Sequence, residues 1–532
     1  MQGQPFKARP TFTGTVTEKH SGYGLPWCHR LQCGIDILLN VMRKLILTFA
    51  CLAFILSFDA FAADDDPGMA AFHNRDYVTA LAIWKAAAEK GDPRAEASLG
   101  VLYANGLGIN RDDAEALHWF RVAANHGDSS GQYNMGVMCR DGRATPKNDV
   151  EAVRWFKLAA AQGESNAKIN LGAAYRSGHG VEKDAKEAFH WYMEAAKQGN
   201  VVAQGLVGLL YQKGDGVDHD DKEALRWYRM AADRGFYDAQ YEIGAMYETG
   251  AGVAKDEQEA VRWYRMAATL GFGRAQNKLG QMYLDGRGVS KNETEAAKMF
   301  ELAAKQGLAA AQYNLGRCYA QGWGVAKDGK QAALWYRLAA DQGYASAQGS
   351  LGMLLARGQD VDKDEAEGAR MVRKAADQGD VEAQVDLGAM YANGQGVTKD
   401  DRESFRWYQL AATQGDAEAQ NNLGWSFREG VGIERDPAQA ANWFRHSAMQ
   451  GNAYGQHSLG QLYRVGVGVE KNLVLAYAWL ARSARGGDPD AADERDAVAK
   501  LLKPAELAQA KRLESAWKPG VAMEQAPVKG KK

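Results

Sequence analysis

Proline is scarce, 11 in 532 residues, while 46% of the chain is apolar and 24% charged, so a disordered or proline-rich chain is excluded. Cysteine is scarcer still. Cys28, Cys33 and Cys51 precede the body of the chain, leaving Cys139 and Cys318 far apart in it. Two distant thiols build no disulfide framework, and both read as small buried apolar side chains. Neither sign of charge dominates: 64 Lys and Arg against 66 Asp and Glu leave a net −2 and no bulk electrostatic case for nucleic-acid binding. The one long apolar run, Leu45 to Phe58, falls short of the roughly 20 residues a membrane span requires.

That run has another reading. Met42-Arg43-Lys44 gives it a basic start and Ala60-Phe61-Ala62 a small-x-small end, the pattern of a secretory signal peptide over 42–62 with cleavage before Ala63. Residues 1–41 show no helical period and would bury the signal mid-chain. They read as a gene-model extension or a disordered segment, with Met42 the expected start and an exported, periplasmic or secreted mature chain; the alternative is a real tail followed by a short anchor.

What the chain has in abundance is glycine, 59 residues, placed on a lattice. Gly100, Gly136, Gly172, Gly208 and their successors to Gly460 are spaced by 36 residues without insertion or deletion. A second series from Gly91 to Gly487 keeps this period, as do Trp119, Trp155, Trp191, Trp227, Trp263, Trp335, Trp407, Trp443 and Trp479. Eleven repeats over 92–487 follow. Within 200–235, Ala203, Val207, Leu210 and Tyr211 form one helical stripe, and Gly208 sits mid-helix, where glycine costs about 1 kcal/mol against alanine. Its recurrence predicts a neighbouring helix too close for a Cβ. Gly214 and Gly216 end that helix. A second begins at Asp220 with Glu223 three residues on, a capping box, and carries Ala224, Trp227, Tyr228, Ala231 and Ala232 inward. The Trp–Tyr pair is expected to fill the space between units.

Each unit is a helical hairpin unable to bury its apolar face alone, so the units must stack into an all-α solenoid. Residues 63–91 read as an N-terminal partial repeat, 488–517 as two capping helices, and 518–532 as a polar tail. The pattern Ala-Gln-x-x-Leu-Gly-x-x-Tyr-x-x-Gly-x-Gly-Val…Glu-Ala-x-x-Trp-Tyr-x-x-Ala-Ala-x-x-Gly, nearly complete from Ala239 to Gly271, resembles the Sel-one-like repeat, a relative of the tetratricopeptide repeat. The resemblance covers 67–517 and implies a right-handed superhelix of antiparallel helix pairs used as an adaptor or scaffold. Some members are cysteine-rich and disulfide-stapled, with a penicillin-binding or hydrolytic role claimed for them. This chain departs from that subgroup.

Catalytic motifs are weak. Gly324 to Lys330 has phosphate-loop spacing, but Gln331 stands where Ser or Thr is needed and no strand precedes it. The histidines show no metal-ligand spacing, and the recurring carboxylates are helix caps. The chain reads as a non-enzyme without cofactor or metal.

Function then belongs to positions that vary between repeats. By resemblance to the tetratricopeptide fold, the first helix of each hairpin lines a concave groove. Its exposed positions are expected to include Tyr133, Asn134, Tyr241, Tyr313, Asn314, Arg317, Asn421, Trp425 and Arg428. Asparagine amides can pair with an extended peptide and arginine can hold a carboxylate bidentately; the bland alternative is a solvated helix face. The first function class is an exported scaffold that binds a protein or peptide. The second is a cell-envelope accessory that binds glycan or peptidoglycan, with a hydrolase the remotest reading. Repeat 344–379 breaks the pattern, with Leu355 for Tyr, Asp360 for a turn glycine and Met371-Val372 for Trp-Tyr, and a weak interface or hinge is expected there. Amino-terminal sequencing of the exported protein should begin at Ala63; a product that retains Met42 would refute the cleavage.

Overall fold

A computed structural model describes residues 66–523. The leader, the cleavage position and the end of the tail lie outside the described residues. Among these residues the chain forms 26 helices and no strand. They fall into two compact units divided within helix Val201–Lys213: residues through 203 with 215–217, and residues 204–214 with those from 218 onward.

Both units follow one rule. Helices of 12 or 13 residues alternate, as in the pair Tyr237–Thr249 and Glu257–Thr269. The second helix starts where an Asp or Asn side chain accepts the orphan backbone N–H groups: Asp256 Oδ1 accepts from Gln258 and Glu259 at 2.9 and 3.0 Å. The expected reciprocal half of the box is replaced. Glu259 reaches forward to Arg262 at 2.8 Å, and Glu223 likewise to Arg226, because an exposed carboxylate finds a full cation one turn on.

The mid-helix glycine has a definite partner, the buried ring 20 residues later in its own hairpin. A Cβ at Gly136 would lie 2.5 Å from the Phe156 ring, and one at Gly208 2.8 Å from that of Tyr228. The rings of Phe120, Tyr192, Tyr264, Phe300, Tyr336, Tyr408 and Phe444 cover their glycines in the same way. This corrects the role given to the Trp–Tyr pair. The Tyr or Phe locks its own hairpin, while the tryptophan packs backward, Trp263 against the Ala224–Met246 cluster and Trp335 against Ala296–Cys318.

A second device joins repeats. Gln276 Nε2 donates to the carbonyl of Ala268, at the end of the preceding hairpin, and its Oε1 accepts from Gln306 Nε2 at 2.8 Å. Gln312 with Gln342, Gln348 with Gln378, Gln384 with Gln414 and Gln420 with Gln450 repeat the clasp in this unit, and Gln132 with Gln162 makes it in the first. In each, a buried first-helix glutamine accepts from the exposed glutamine that ends the same hairpin, while its own amide donates back across the repeat boundary to the preceding alanine carbonyl.

The pattern-breaking repeat is compensated and not loosened. With Val372 in place of the ring, helices Ala345–Arg357 and Glu365–Asp377 meet through two glycines: a Cβ on Gly352 would lie 2.6 Å from the Gly368 carbonyl, and one on Gly368 2.6 Å from that of Gly352. Within this hairpin the missing ring is replaced by a closer helix approach. Asp360 is compensated as well. It takes φ 58 in the turn, and the residue facing it, at the start of helix Gly329–Asp341, is Gly329, whose Cβ would meet the Asp360 Cβ at 2.5 Å. In the adjoining repeats glycine is on the turn side, Gly324 against Glu293 and Gly396 against Glu365.

The ends are closed. Helices Pro67–His73 and Tyr77–Ala88 bury Trp84, whose indole N–H donates to Asp66 at 3.2 Å. Helices Ala491–Ala499 and Pro504–Ala516 cover the other end. Residues 518–523, assigned above to a polar tail, turn back instead: Gly520 N–H donates to the Met449 carbonyl, and Trp517 and Met523 are buried because they complete the last apolar cluster.

Substituting Gly329→Ala should cost about 1–3 kcal/mol as an overpacked contact. Asp360→Gly in the same chain should recover most of it, giving a strong coupling in a urea-melt double-mutant cycle. Additive effects would show that the two residues do not share the space.

Candidate functional site

In the first unit, Tyr133 and Asn134 are buried, correcting the expectation of an exposed pair. Tyr133 lies 6.0 Å from the Phe156 ring in the core, and burial pushes its phenol up to about 12. Arg140 donates to Asn170 of the following repeat at 2.6 Å.

In the second unit, two of the expected asparagines are buried too. Asn314 Nδ2 donates to Asn277 Oδ1 at 2.9 Å, and Asn421 Oδ1 accepts from the Ser458 hydroxyl at 3.4 Å. Adjacent first helices stand close enough for short side chains at these positions to meet, so the amides are used up between repeats.

The other expected residues of this unit stay half-buried and gather in three arginine–aromatic pairs. The Arg274 guanidinium lies 4.4 Å from the Tyr241 ring centre. Arg317 sits 5.8 Å from Tyr313 and 5.1 Å from Trp323, with Tyr344 5.4 Å beyond Tyr313. Arg428 lies 3.9 Å from Trp425 and reaches Glu429 and Gln461 at 2.8 and 3.2 Å. Such pairs hold a flat cation over a flat apolar surface, worth about 0.5–2 kcal/mol each. Arg274 escaped the sequence reading because it sits six residues before the glycine, a position not examined, though it too varies between repeats: Asp238, Arg274, Glu382, Glu418.

The same omission hid the acidic part of this face. Glu382, Asp386 and Glu418, on helices Val381–Asn393 and Ala417–Glu429, make no hydrogen bond or ion pair among the described residues. Burial pushes Asp386 up to about 7, Glu382 and Glu418 adding to the shift and Arg357 opposing it. Burial also raises Glu382, helped by Asp380 and opposed by Arg317, and raises Glu418, helped by Asp416 and Glu382. Near Tyr241, burial pushes Asp238 up to about 6 against the attraction of Arg274.

Among the described residues, no group of three His, Cys, Asp or Glu is placed to hold a metal ion and no helix is long and apolar enough to cross a membrane. Cys139 and Cys318 are free and buried. The phosphate-loop-like segment is a turn leading from helix Ala309–Gln321 into helix Gly329–Asp341.

Hairpins closed by glycine–ring contacts and joined by tryptophans and glutamine amides define a helical-repeat solenoid protein. The chain belongs to the Sel1 repeat family, whose profile matches 72–92 and then eleven consecutive segments from 93–128 to 453–488. It is 35% identical to a protective antigen of uropathogenic Escherichia coli displaying an SLR fold, over 82% of this chain and 93% of that one, with a TM-score of 0.70. A Sel1 repeat protein from Oxalobacter formigenes is 34% identical over 58% of this chain and 89% of its own, with a TM-score of 0.45. No curated protein matches the chain.

Asp386 carries a testable sign. Its folded value lies above the ordinary value near 4, so its contribution to stability is present at low pH and is lost as pH rises from about 4 through about 7. Asp386→Asn should therefore gain stability relative to the parent across that window and hold a lead on the order of 1–3 kcal/mol above it. Hydrogen exchange of helix Val381–Asn393 at several pH values is the measurement. A lead independent of pH would contradict the assignment.

Proposed function

We propose that this protein is an exported, non-enzymatic scaffold that captures a partner protein on the first-helix face of its second unit. The observation that carries this reading is the set of arginine–aromatic pairs, above all Tyr313 and Trp323 with Arg317, which place half-buried rings and cationic donors on one face, at the edge of the clusters that close the hairpins. Rings and arginine are the side chains in which binding energy concentrates at protein interfaces. Export rests on the leader at 42–62. The absence of nucleic-acid recognition rests on the near-neutral charge, and membership in a repeat family built as stacked hairpins supports a scaffold over an enzyme.

Tyr313→Ala with Arg317→Ala should abolish capture of the main partner from an envelope extract, with helix content unchanged by circular dichroism. Lys330→Ala with Arg337→Ala, both exposed on a second helix, should capture it as the parent does. Equal capture by the two double variants would remove this face as the meeting place.

A further inference from the structure

The Arg317 guanidinium makes no hydrogen bond or ion pair among the described residues; its close contacts are the Tyr313 and Trp323 rings. Most arginines nearby on first helices are already engaged, Arg428 with Glu429 and Gln461, and Arg464 with Glu494. Arg317 is thus held in place by rings while its donors stay uncommitted, which suits a bidentate carboxylate. Two repeats further on, Glu382 and Asp386 are likewise without partners, as is Glu418 one repeat beyond them. The first helix between, Ala345–Arg357, carries Ser346 and Ser350 at the positions of Glu382 and Asp386 and Met353 at that of Arg317; the field of Arg317 is felt at Glu382, and that of Arg357 at both acids. A cationic anchor and an anionic one therefore stand in fixed order along one face. Neither is held in a salt bridge among the described residues, although Arg357 offsets part of the acidic charge, and a ligand of a single charge sign would satisfy only one of them.

We propose that this face binds an extended peptide segment of ordered charge, an acidic side chain seated on Arg317 and a lysine or arginine side chain held among Glu382, Asp386 and Glu418. The inference rests on the scaffold reading above and specifies the partner's chemistry. The rings beside Arg317 supply an apolar bed for the segment between its charges, and the two ends fix its direction and register. Charge order of this kind gives specificity more than raw affinity, since a mismatched ligand leaves one anchor desolvated and unpaired.

The test uses the full mature chain and short peptides blocked at both termini, each labelled for fluorescence anisotropy. One series carries a glutamate and a lysine from two to about eight residues apart, because an extended chain spans ~3.3 Å per residue and neighbouring helices lie ~8–10 Å apart. Control peptides carry only the glutamate, only the lysine, or two lysines. One spacing of the mixed series should bind at least about tenfold tighter than either single-charge peptide. Arg317→Glu should lose that advantage and regain it with the two-lysine peptide, a rescue that no general loss of folding can imitate. The triple variant Glu382→Gln, Asp386→Asn, Glu418→Gln should bind mixed and glutamate-only peptides alike. If Arg317→Glu binds the mixed peptide as the parent does, or the two-lysine peptide fails to restore binding, the proposal is wrong. If no peptide binds yet capture of the partner still requires Tyr313 and Arg317, the charge-order proposal falls and the scaffold reading stands. If that capture is also indifferent to them, both fall.

Discussion

The structure depends on the absence of one carbon atom. At the middle of nine first helices a glycine leaves a gap the size of a methyl group, and an aromatic ring from the same hairpin occupies it; Val372 and Leu480 stand in for the ring in the other two. The ring fixes the distance between the two helices and their rotation, so every hairpin presents the same two faces to its neighbours. Mid-helix glycine weakens the isolated helix, and packing a whole ring against bare backbone more than offsets that loss. Tryptophan and glutamine act on the next scale, joining hairpins that the glycine and ring have already shaped.

This division of labour explains what was legible in the sequence. The period, the helix pair and the close approach at Gly208 could be read because they recur at fixed spacing, and recurrence exposes a shared physical cause. The identity of the partner ring could not be read, since both Trp227 and Tyr228 lie on the inward side of their helix. The glutamine clasp was visible as a recurring Ala-Gln, but one amide shows no role until its partner 30 residues away is placed beside it. Repeat eight misled the sequence reading because a missing ring looks like missing energy, whereas Gly368 lets backbone replace the ring.

The candidate face was half legible for a related reason. Arg317, Tyr313, Tyr241, Trp425 and Arg428 were found because unusual residue types at varying positions attract notice. Asn314 and Asn421 looked the same on the page, yet their short amides reach the adjoining first helix and are consumed there. Glu382, Asp386 and Glu418 drew no notice because acidic residues near a helix start resemble ordinary caps. Only the packing of successive first helices shows that the partly buried Asp386 and the exposed Glu382 and Glu418 lie on the first-helix side with Arg317.

The exchange of glycine between positions 329 and 360 bears on how such a gene can change its length. Repeats in one register can in principle be lost or duplicated whole by unequal recombination, because each junction matches every other. The junction between the seventh and eighth repeats is matched: Asp360 faces Gly329, a helix start that is glycine in no other of these repeats. A crossover that set Asp360 against Glu293 or Glu365 would part it from Gly329 and place two Cβ-bearing residues at that contact. The seventh and eighth units therefore fit best as a pair inside a modular array.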